Sequence, residues 1–347
     1  AAKYASISQE ILRAIEKGNE YLKSKQNPEG YWAQPSYPAL TALAVTAYMR
    51  DPANQGKPVP EYIRKGYDFI LKSQKEDGSI FNRGMSSYNT AVCMMALLAA
   101  NKEEYAPAIL KGRAYLIKQQ NHFAPDNPYN GGIGYGDKQA PPIADLSNTS
   151  LALEAIYYSQ KLAKDGKYGE QPDLDWNAAT EFINRCQQNP AVNKEPWVSN
   201  DKSQLGGFVY RPGVSSARDK KSAAFDKAEP PKAYGSMTYA GMQSLIYANV
   251  DKNDPRVKLA LKWLENSYSL DENPGMGVQG LYYYYQAMSK ALSAMGIDTL
   301  TLENGRKVDW RDELANKLIS IQKSDGSWVN TNNRWWEADP VLVTSYC

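Results

Sequence analysis

The chain has 347 residues, of which 42% are hydrophobic, and its 40 basic residues nearly balance 38 acidic ones. This content is enough to bury the core of one large domain or two ordinary ones, and the near-neutral charge argues against a nucleic-acid-binding surface. With a mean hydropathy of −0.60, the longest apolar stretches are too short to span a membrane and are typical of buried helices.

The first predicted elements form a helical hairpin that the chain then repeats. An amphipathic stretch ends at Gln26, a turn with Gly30 follows, and a nearly apolar stretch occupies 41–49. The second unit has the same order, with the octapeptide QKEDGSIF at 74–81 and the apolar stretch NTAVCMMALLAA at 89–100. A helix with one charged face lies at a surface, whereas a helix that is apolar all round must be covered on every side. Each unit therefore predicts an outer helix followed by an inner helix.

Four further units follow the same order, although the turns in the middle of the chain are degenerate. Their predicted inner stretches are 148–159, 237–250, 281–296 and 340–347, and the octapeptide returns as QKSDGSWV before the last of them. The residue that ends each outer stretch is Gln26, Gln74, Gln120, Gln187, Tyr268 or Gln322. Six hairpins are predicted, and the octapeptides are interpreted as joints between outer and inner helices.

The six hairpins could form an open solenoid or a closed ring. A solenoid usually keeps a strict repeat length and has polar caps at both ends, whereas these units differ in length and the last one ends in the apolar run VLVTSYC. We therefore predict an all-α (α/α)6 toroid with inner and outer helix rings, formed by residues 1–347 as a single domain. Its longest insert, about 190–231, is of the kind that often carries function.

The Gln-x(3 to 4)-Gly-x-Trp element before the inner helices resembles the QW motif of squalene-hopene and oxidosqualene cyclases. The whole pattern is similar to the α/α toroid that these enzymes share with protein prenyltransferase β subunits, and the resemblance covers essentially the whole chain. It implies a terpenoid cyclase-like fold with a central cavity where the inner helices begin. It is less specific for activity, because one fold can serve several functions.

The acid motif of these cyclases is altered in this chain. In the family, a D-x-D-D-T-A motif supplies the acid that protonates an alkene, which is a very weak base and needs a strong, protonated acid. The matching stretch DLSNTS begins at Asp145, but Ser147 and Asn148 replace the two later Asp residues. We therefore expect no alkene protonation at this site. We also expect Asn148 to cap its helix, as Asn89 would in the second unit.

The zinc ligands of the prenyltransferases are also missing from the matching positions. In that family Asp, Cys and His hold the metal, but the last inner stretch has Val343 where the His would stand, and the fifth reads GLYYYYQAM. His122, the single histidine, is expected in a surface loop, and Cys93 and Cys186 are expected to be core thiols. We expect neither a metal nor a cofactor.

The resemblance also implies which residues line the cavity, because the first turns of the inner helices surround it. Tyrosine dominates these positions, and its ring is apolar while its hydroxyl is polar. Tyr37 and Met237 are among them, and the candidate ligand-binding residues are Tyr88, Asn89, Ser147, Asn148, Tyr239, Tyr282, Tyr283, Tyr284 and Trp336. The alternative is that most of these tyrosines fill the core and bond to loop backbone.

Three carboxylates are the candidate catalytic groups: Asp145, Glu337 and Asp339. The last two precede the final inner helix, whose positive end is expected to lower their pKa values. A lowered pKa opposes a general-acid role and permits a base, a metal or polyol ligand, or a helix cap.

Three functions are compatible with the sequence. The leading hypothesis is a terpene cyclase-like or prenyltransferase-like protein that holds an apolar ligand, such as an isoprenoid, in a Tyr-lined cavity without the family's catalytic residues. The second is a non-catalytic module that binds a protein or glycan, and the third is a polysaccharide-active enzyme, which no paired-carboxylate spacing supports. The start AAKYASIS resembles a mature N-terminus and favours export, and the apolar end suggests that the natural chain continues past Cys347.

Overall fold

The computed structural model describes residues 7–136, 143–217 and 230–347. In chain order its helices are α1 (Ser8–Ser24), α2 (Pro38–Arg50), α3 (Glu61–Lys72), α4 (Ser86–Ala100), α5 (Ala106–Lys118), α6 (Leu146–Tyr158), α7 (Gln160–Lys164), α8 (Trp176–Cys186), α9 (Gly235–Tyr247), α10 (Pro255–Asn266), α11 (Leu281–Met295), α12 (Trp310–Ile321) and α13 (Pro340–Tyr346). A small antiparallel hairpin of β1 (Thr299–Thr301) and β2 (Lys307–Asp309) precedes α12.

Six of these helices form a closed inner ring. Each of α2, α4, α6, α9 and α11 packs against the next inner helix, and α13 packs against both α11 and α2. The outer helices α1, α3, α5, α8, α10 and α12 lie around this ring, and the short α7 follows α6. Nearly every residue of α9 is buried, as its apolar and small side chains predict. The predicted all-α toroid of inner and outer helices is confirmed.

The residues that end the outer helices bond neighbouring hairpins together. Gln26 Nε2 donates to the carbonyl of its own turn glycine at 3.0 Å and to the carbonyl of Tyr62, in the first turn of α3, at 2.7 Å. The same pair of bonds is made by Gln74, Gln120 and Gln187. Gln322 donates to the carbonyl of Ala14 in α1 at 2.8 Å, so the last repeat is bonded to the first. Tyr268 replaces the Gln in the fifth repeat, and its hydroxyl bonds a carboxylate of α12.

The five joints that have a Gln also bring a glycine against the next outer helix. At Gly131, φ is 83°, and a Cβ atom would lie 1.9 Å from the carbonyl oxygen of Ala178 in α8. A side chain would therefore be strained by its backbone conformation and would also clash. The octapeptides are thus joints of the ring, and their glycines set the distance between repeats.

The cysteines and the histidine lie where the sequence predicts. Cys93 and Cys186 are buried thiols, Cys347 is an exposed one, and none of the three forms a disulfide. His122 is exposed in the loop after α5. Among the described residues, no helix combines the length and hydrophobicity needed to cross a membrane.

Candidate functional site

A cavity of about 470 Å³ lies where the inner helices begin. We call it the tyrosine cavity, because Tyr37, Tyr88, Tyr135, Tyr210, Tyr234, Tyr283 and Tyr346 contribute to its wall. The rest of the wall consists of Ala39, Leu40, Met85, Ser147, Asn148, Ser216, Met237, Trp335, Trp336 and Leu342. Its volume falls within the usual range for small-molecule sites.

The structure brings part of the predicted site together in this cavity. Of the candidate ligand-binding residues, those in the wall are Tyr88, Ser147, Asn148, Tyr283 and Trp336. The wall includes no Asp, Glu, Lys or Arg from the part of the chain that the structure describes. Within that part, no three His, Cys, Asp or Glu side chains form a group that could hold a metal ion.

Four other candidates lie outside the cavity wall. Asn89 is fully buried, and its Oδ1 accepts the backbone N–H of Ala39 at 3.0 Å, which satisfies a donor at the start of α2. The Tyr284 hydroxyl donates to a loop carbonyl at 3.0 Å, and its ring packs against Tyr239 at a centroid distance of 5.7 Å. Tyr282 packs against another tyrosine of α11. The three tyrosines among these residues are buried in the core, and of them Tyr284 bonds to loop backbone as the alternative describes.

Asp145, rather than Asn148, is the N-cap of α6. One Asp145 oxygen accepts the backbone N–H of Asn148, and the other accepts its Nδ2, both at 2.8 Å. The prediction that Asn148 caps its helix is therefore wrong, because Asn148 lies within the first turn and its own N–H is one of those that need a cap. The prediction for Asn89 is wrong for a related reason, since its oxygen accepts an N–H of the neighbouring helix α2, while at the start of α4 its Nδ2 only donates to the Met85 carbonyl.

Asp145 is almost completely removed from water, with 2% of its surface exposed. Burial raises the pKa of its carboxyl to about 6, although hydrogen bonds from Asn148 and the Tyr210 hydroxyl and the positive charge of Arg211 act in the opposite direction. Tyr210 contributes to the cavity wall while Asp145 does not. The carboxyl therefore stands behind the wall and reaches the cavity only through its partners.

Glu337 caps the fifth inner helix instead of preceding the sixth as a free carboxylate. It is fully buried and accepts the backbone N–H groups of Tyr283 at 2.8 Å and Tyr282 at 3.3 Å, both at the start of α11, and Asn330 Nδ2 at 2.7 Å. Burial raises its pKa even though these hydrogen bonds oppose the change. The predicted lowering is therefore wrong, because loss of hydration outweighs the positive end of the helix.

Asp339 is the N-cap of α13, and its carboxylate accepts the N–H of Val341 at 2.9 Å. It borders a neighbouring depression of about 370 Å³ and is not in the wall of the tyrosine cavity. All three candidate carboxylates thus cap inner helices, and they do not face one another across an open groove. This arrangement gives no support to a polysaccharide-cleaving pair.

Ser147 occupies the position at which the resemblance places the catalytic acid. Its side chain is in the cavity wall, and its Oγ lies 3.3 Å from the hydroxyl oxygen of Tyr283. A serine hydroxyl is far too weak an acid to protonate an alkene. The position therefore faces the cavity, as expected, and carries no acid.

Sequence reasoning predicted Trp336 and missed its neighbour Trp335, and both residues are in unusual conformations. Trp335 and Trp336 have φ values of 55° and 64°, and such strain costs on the order of 1–3 kcal/mol per residue. The Trp336 ring packs against Tyr37 at 5.0 Å, and the Trp335 ring occupies the space beside Gly280, where a Cβ atom would lie 2.1 Å away. Adjacent tryptophans held in strained conformations are typical of a functional site. In the sequence, the two consecutive tryptophans of RWW were the only indication of this part of the wall.

Tyr135 and Tyr210 also reach the cavity, and both belong to segments inserted between repeats. Their hydroxyls are close enough to share a hydrogen bond. The insert that contains Tyr210, about 190–231, was predicted to be of the kind that often carries function, but neither segment's sequence indicates which side chains turn inward.

No family model matches the sequence. The fold is similar to that of a variant of type II terpene cyclase MstE from Scytonema in complex with geranylgeranyl dihydroxybenzoate (substrate), with a TM-score of 0.56, 10% identity and coverage of 97% of this chain and 95% of that chain. A second variant, in complex with merosterolic acid A (product), gives a TM-score of 0.54 at 10% identity and the same coverage. A protein from Actinoplanes gives 0.52 at 12% identity, with 97% of each chain covered. The structural similarity establishes a terpenoid cyclase-like fold, and at identities this low it establishes nothing finer.

Proposed function

We propose that this protein binds an apolar small molecule of the isoprenoid class in the tyrosine cavity. The observation that carries the proposal is the cavity itself, with about 470 Å³ of space inside a wall of aromatic and aliphatic side chains. Solved structures with the same fold hold geranylgeranyl dihydroxybenzoate and merosterolic acid A, which supports an isoprenoid ligand here.

The wall is chemically suited to a branched hydrocarbon chain. Aromatic rings provide large apolar faces without the entropy cost of long flexible side chains. Burying a methylene group contributes about 0.8 kcal/mol, so on the order of ten such groups correspond to the roughly 8 kcal/mol of a micromolar complex, before the costs of immobilising the ligand. An isoprenoid chain of a few units is therefore long enough for useful affinity.

We propose further that binding takes place without alkene protonation at Ser147. The purified protein should leave a polyene such as farnesol unchanged, as gas chromatography with mass spectrometry would show. The variant Ser147→Asp would place a poorly hydrated carboxylic acid in the wall, where desolvation favours its protonated form, and we expect traces of cyclised product. A cyclised product from the wild-type protein would contradict this part of the proposal.

Binding itself can be tested by titrating the protein with farnesol and following the fluorescence of Trp335 and Trp336. Ser216→Phe would place a ring in the cavity, since Ser216 is in its wall, and should weaken binding by at least about tenfold. Ser203→Phe is the matched control, because Ser203 lies exposed in the same inserted segment. Failure of farnesol to bind, or equal loss of affinity in both variants, would contradict the proposed cavity.

A further inference from the structure

Two buried polar atoms in the wall of the tyrosine cavity make no hydrogen bond, the Tyr234 hydroxyl and the Asn148 amide oxygen, and only the amide oxygen is purely an acceptor. Asn148 lines the cavity and is only 2% exposed. Its backbone N–H and its Nδ2 both donate to Asp145 at 2.8 Å. Its amide oxygen, Oδ1, is buried and has no hydrogen-bond partner. Such unpaired acceptors are rare in folded proteins and cost stability.

The orientation of this amide is fixed by Asp145. A carboxylate only accepts hydrogen bonds, so the NH₂ end of the Asn148 amide must face it, and turning the amide round would place two acceptor oxygens together. Asp145 stands behind the wall and Asn148 within it. Oδ1 is therefore at the end of the amide that points away from Asp145.

The polar neighbours of Asn148 are engaged with other partners. The Ser147 hydroxyl is paired with that of Tyr283, and the Tyr210 hydroxyl donates to Asp145. Tyr88 and Tyr346, also in the wall, share a hydrogen bond with each other. Among the described residues none supplies Oδ1 with a donor, so this acceptor is free to take a hydrogen bond from a molecule in the cavity.

We infer that the ligand carries a neutral hydroxyl group, which donates a hydrogen bond to Asn148 Oδ1, and that the cavity thus selects an isoprenoid alcohol over a hydrocarbon or a diphosphate. This inference rests on the proposed function and names the ligand class of the same cavity. An isoprenoid hydrocarbon offers no donor. A diphosphate offers acceptors and negative charge to a wall that has no Lys or Arg among its described residues, and behind the wall the charge of Arg211 is offset by that of Asp145.

The test compares farnesol, farnesyl methyl ether and farnesyl diphosphate by titration calorimetry on the wild-type protein. Farnesol should bind about tenfold more tightly than the ether, which has the same chain without the donor, and more tightly than the diphosphate. Equal affinities for alcohol and ether, or tighter binding of the diphosphate, would overturn the inference and leave the proposed function standing. If none of the three binds, the proposed function itself fails.

Variants assign the effect to Asn148. In Asn148→Leu the preference for alcohol over ether should fall to about twofold or less. Ser150→Ala, which removes a hydroxyl of the same helix that donates to the Ala240 carbonyl outside the cavity wall, should keep it. A preference that survives Asn148→Leu would overturn the assignment. Should Asn148→Leu fail to fold, the comparison of the ligands on the wild-type protein still decides.

Discussion

Replacing Asp145 by Asn should make the protein more stable near neutral pH and should remove a specific pH dependence. The folded protein holds the pKa of this carboxyl at about 6, against an ordinary value of 3.8, because the group is buried. Each tenfold change in a protonation equilibrium corresponds to about 1.4 kcal/mol, so the raised pKa corresponds to a loss of about 3 kcal/mol once the group is ionised in both states.

The sign follows from where the proton resides. Between about pH 4 and pH 6 the folded protein keeps the Asp145 proton and the unfolded chain releases it, so the free energy of unfolding falls as the pH rises through this window. Asn carries no such proton. It can accept from the Asn148 N–H, and its NH₂ group can donate to Asn148 Oδ1 once that amide turns round. The difference in unfolding free energy between variant and wild type should therefore grow by roughly 2 kcal/mol from pH 4 to pH 7.

Urea denaturation at a series of pH values measures this difference directly. Asp175→Asn is the control for exchanging a capping carboxylate for an amide, because Asp175 caps α8 in the same way, accepting the Ala178 N–H at 2.9 Å, but lies at the surface. Asn caps helices about as well as Asp, so this exchange should change the stability little. If the curves for Asp145→Asn and wild type run parallel over the whole pH range, the reasoning about the buried carboxyl is refuted.

Two further predictions concern the joints of the ring. Gln322→Ala removes both hydrogen bonds of the joint that closes the ring and should lower the unfolding free energy by about 2 kcal/mol. The same change at Gln74, in an internal joint, is its control. A midpoint in urea that Gln322→Ala leaves unchanged would contradict the closing role. Gly131→Ala should cost well over 2 kcal/mol, because it adds a clash with the carbonyl of Ala178 to the strain of a positive φ. Gly166→Ala has the same sign of φ and open space around it, so thermal melts that show equal losses at both glycines would contradict the close approach.

The repeat and the ring could be predicted from sequence because each joint repeats the same chemistry. A Gln can bridge its own turn and the next outer helix only if a glycine stands close by, so Gln26 and Gln322 are followed by that glycine at the same spacing. Apolar inner stretches then indicate which helices are covered on all sides. These local patterns do not depend on knowing the long-range contacts.

The site was less predictable, because its residues meet only through the tertiary structure. Asn is a residue type that often caps helices, but which groups Asn148 and Asn89 bond depends on how the neighbouring helices are placed. Glu337 was expected to have a lowered pKa because its burial cannot be read from the sequence. Tyr135 and Tyr210 come from inserted segments without a repeat pattern that could indicate their direction.

Native mass spectrometry of the protein purified from its own host tests the central claim most directly. The account predicts a co-purified molecule with the mass of an isoprenoid alcohol, retained by the wild-type protein and by Ser203→Phe and lost from Ser216→Phe. Wild-type protein that carries no ligand and takes up none when incubated with farnesol would contradict the claim that the tyrosine cavity is a binding site for isoprenoids.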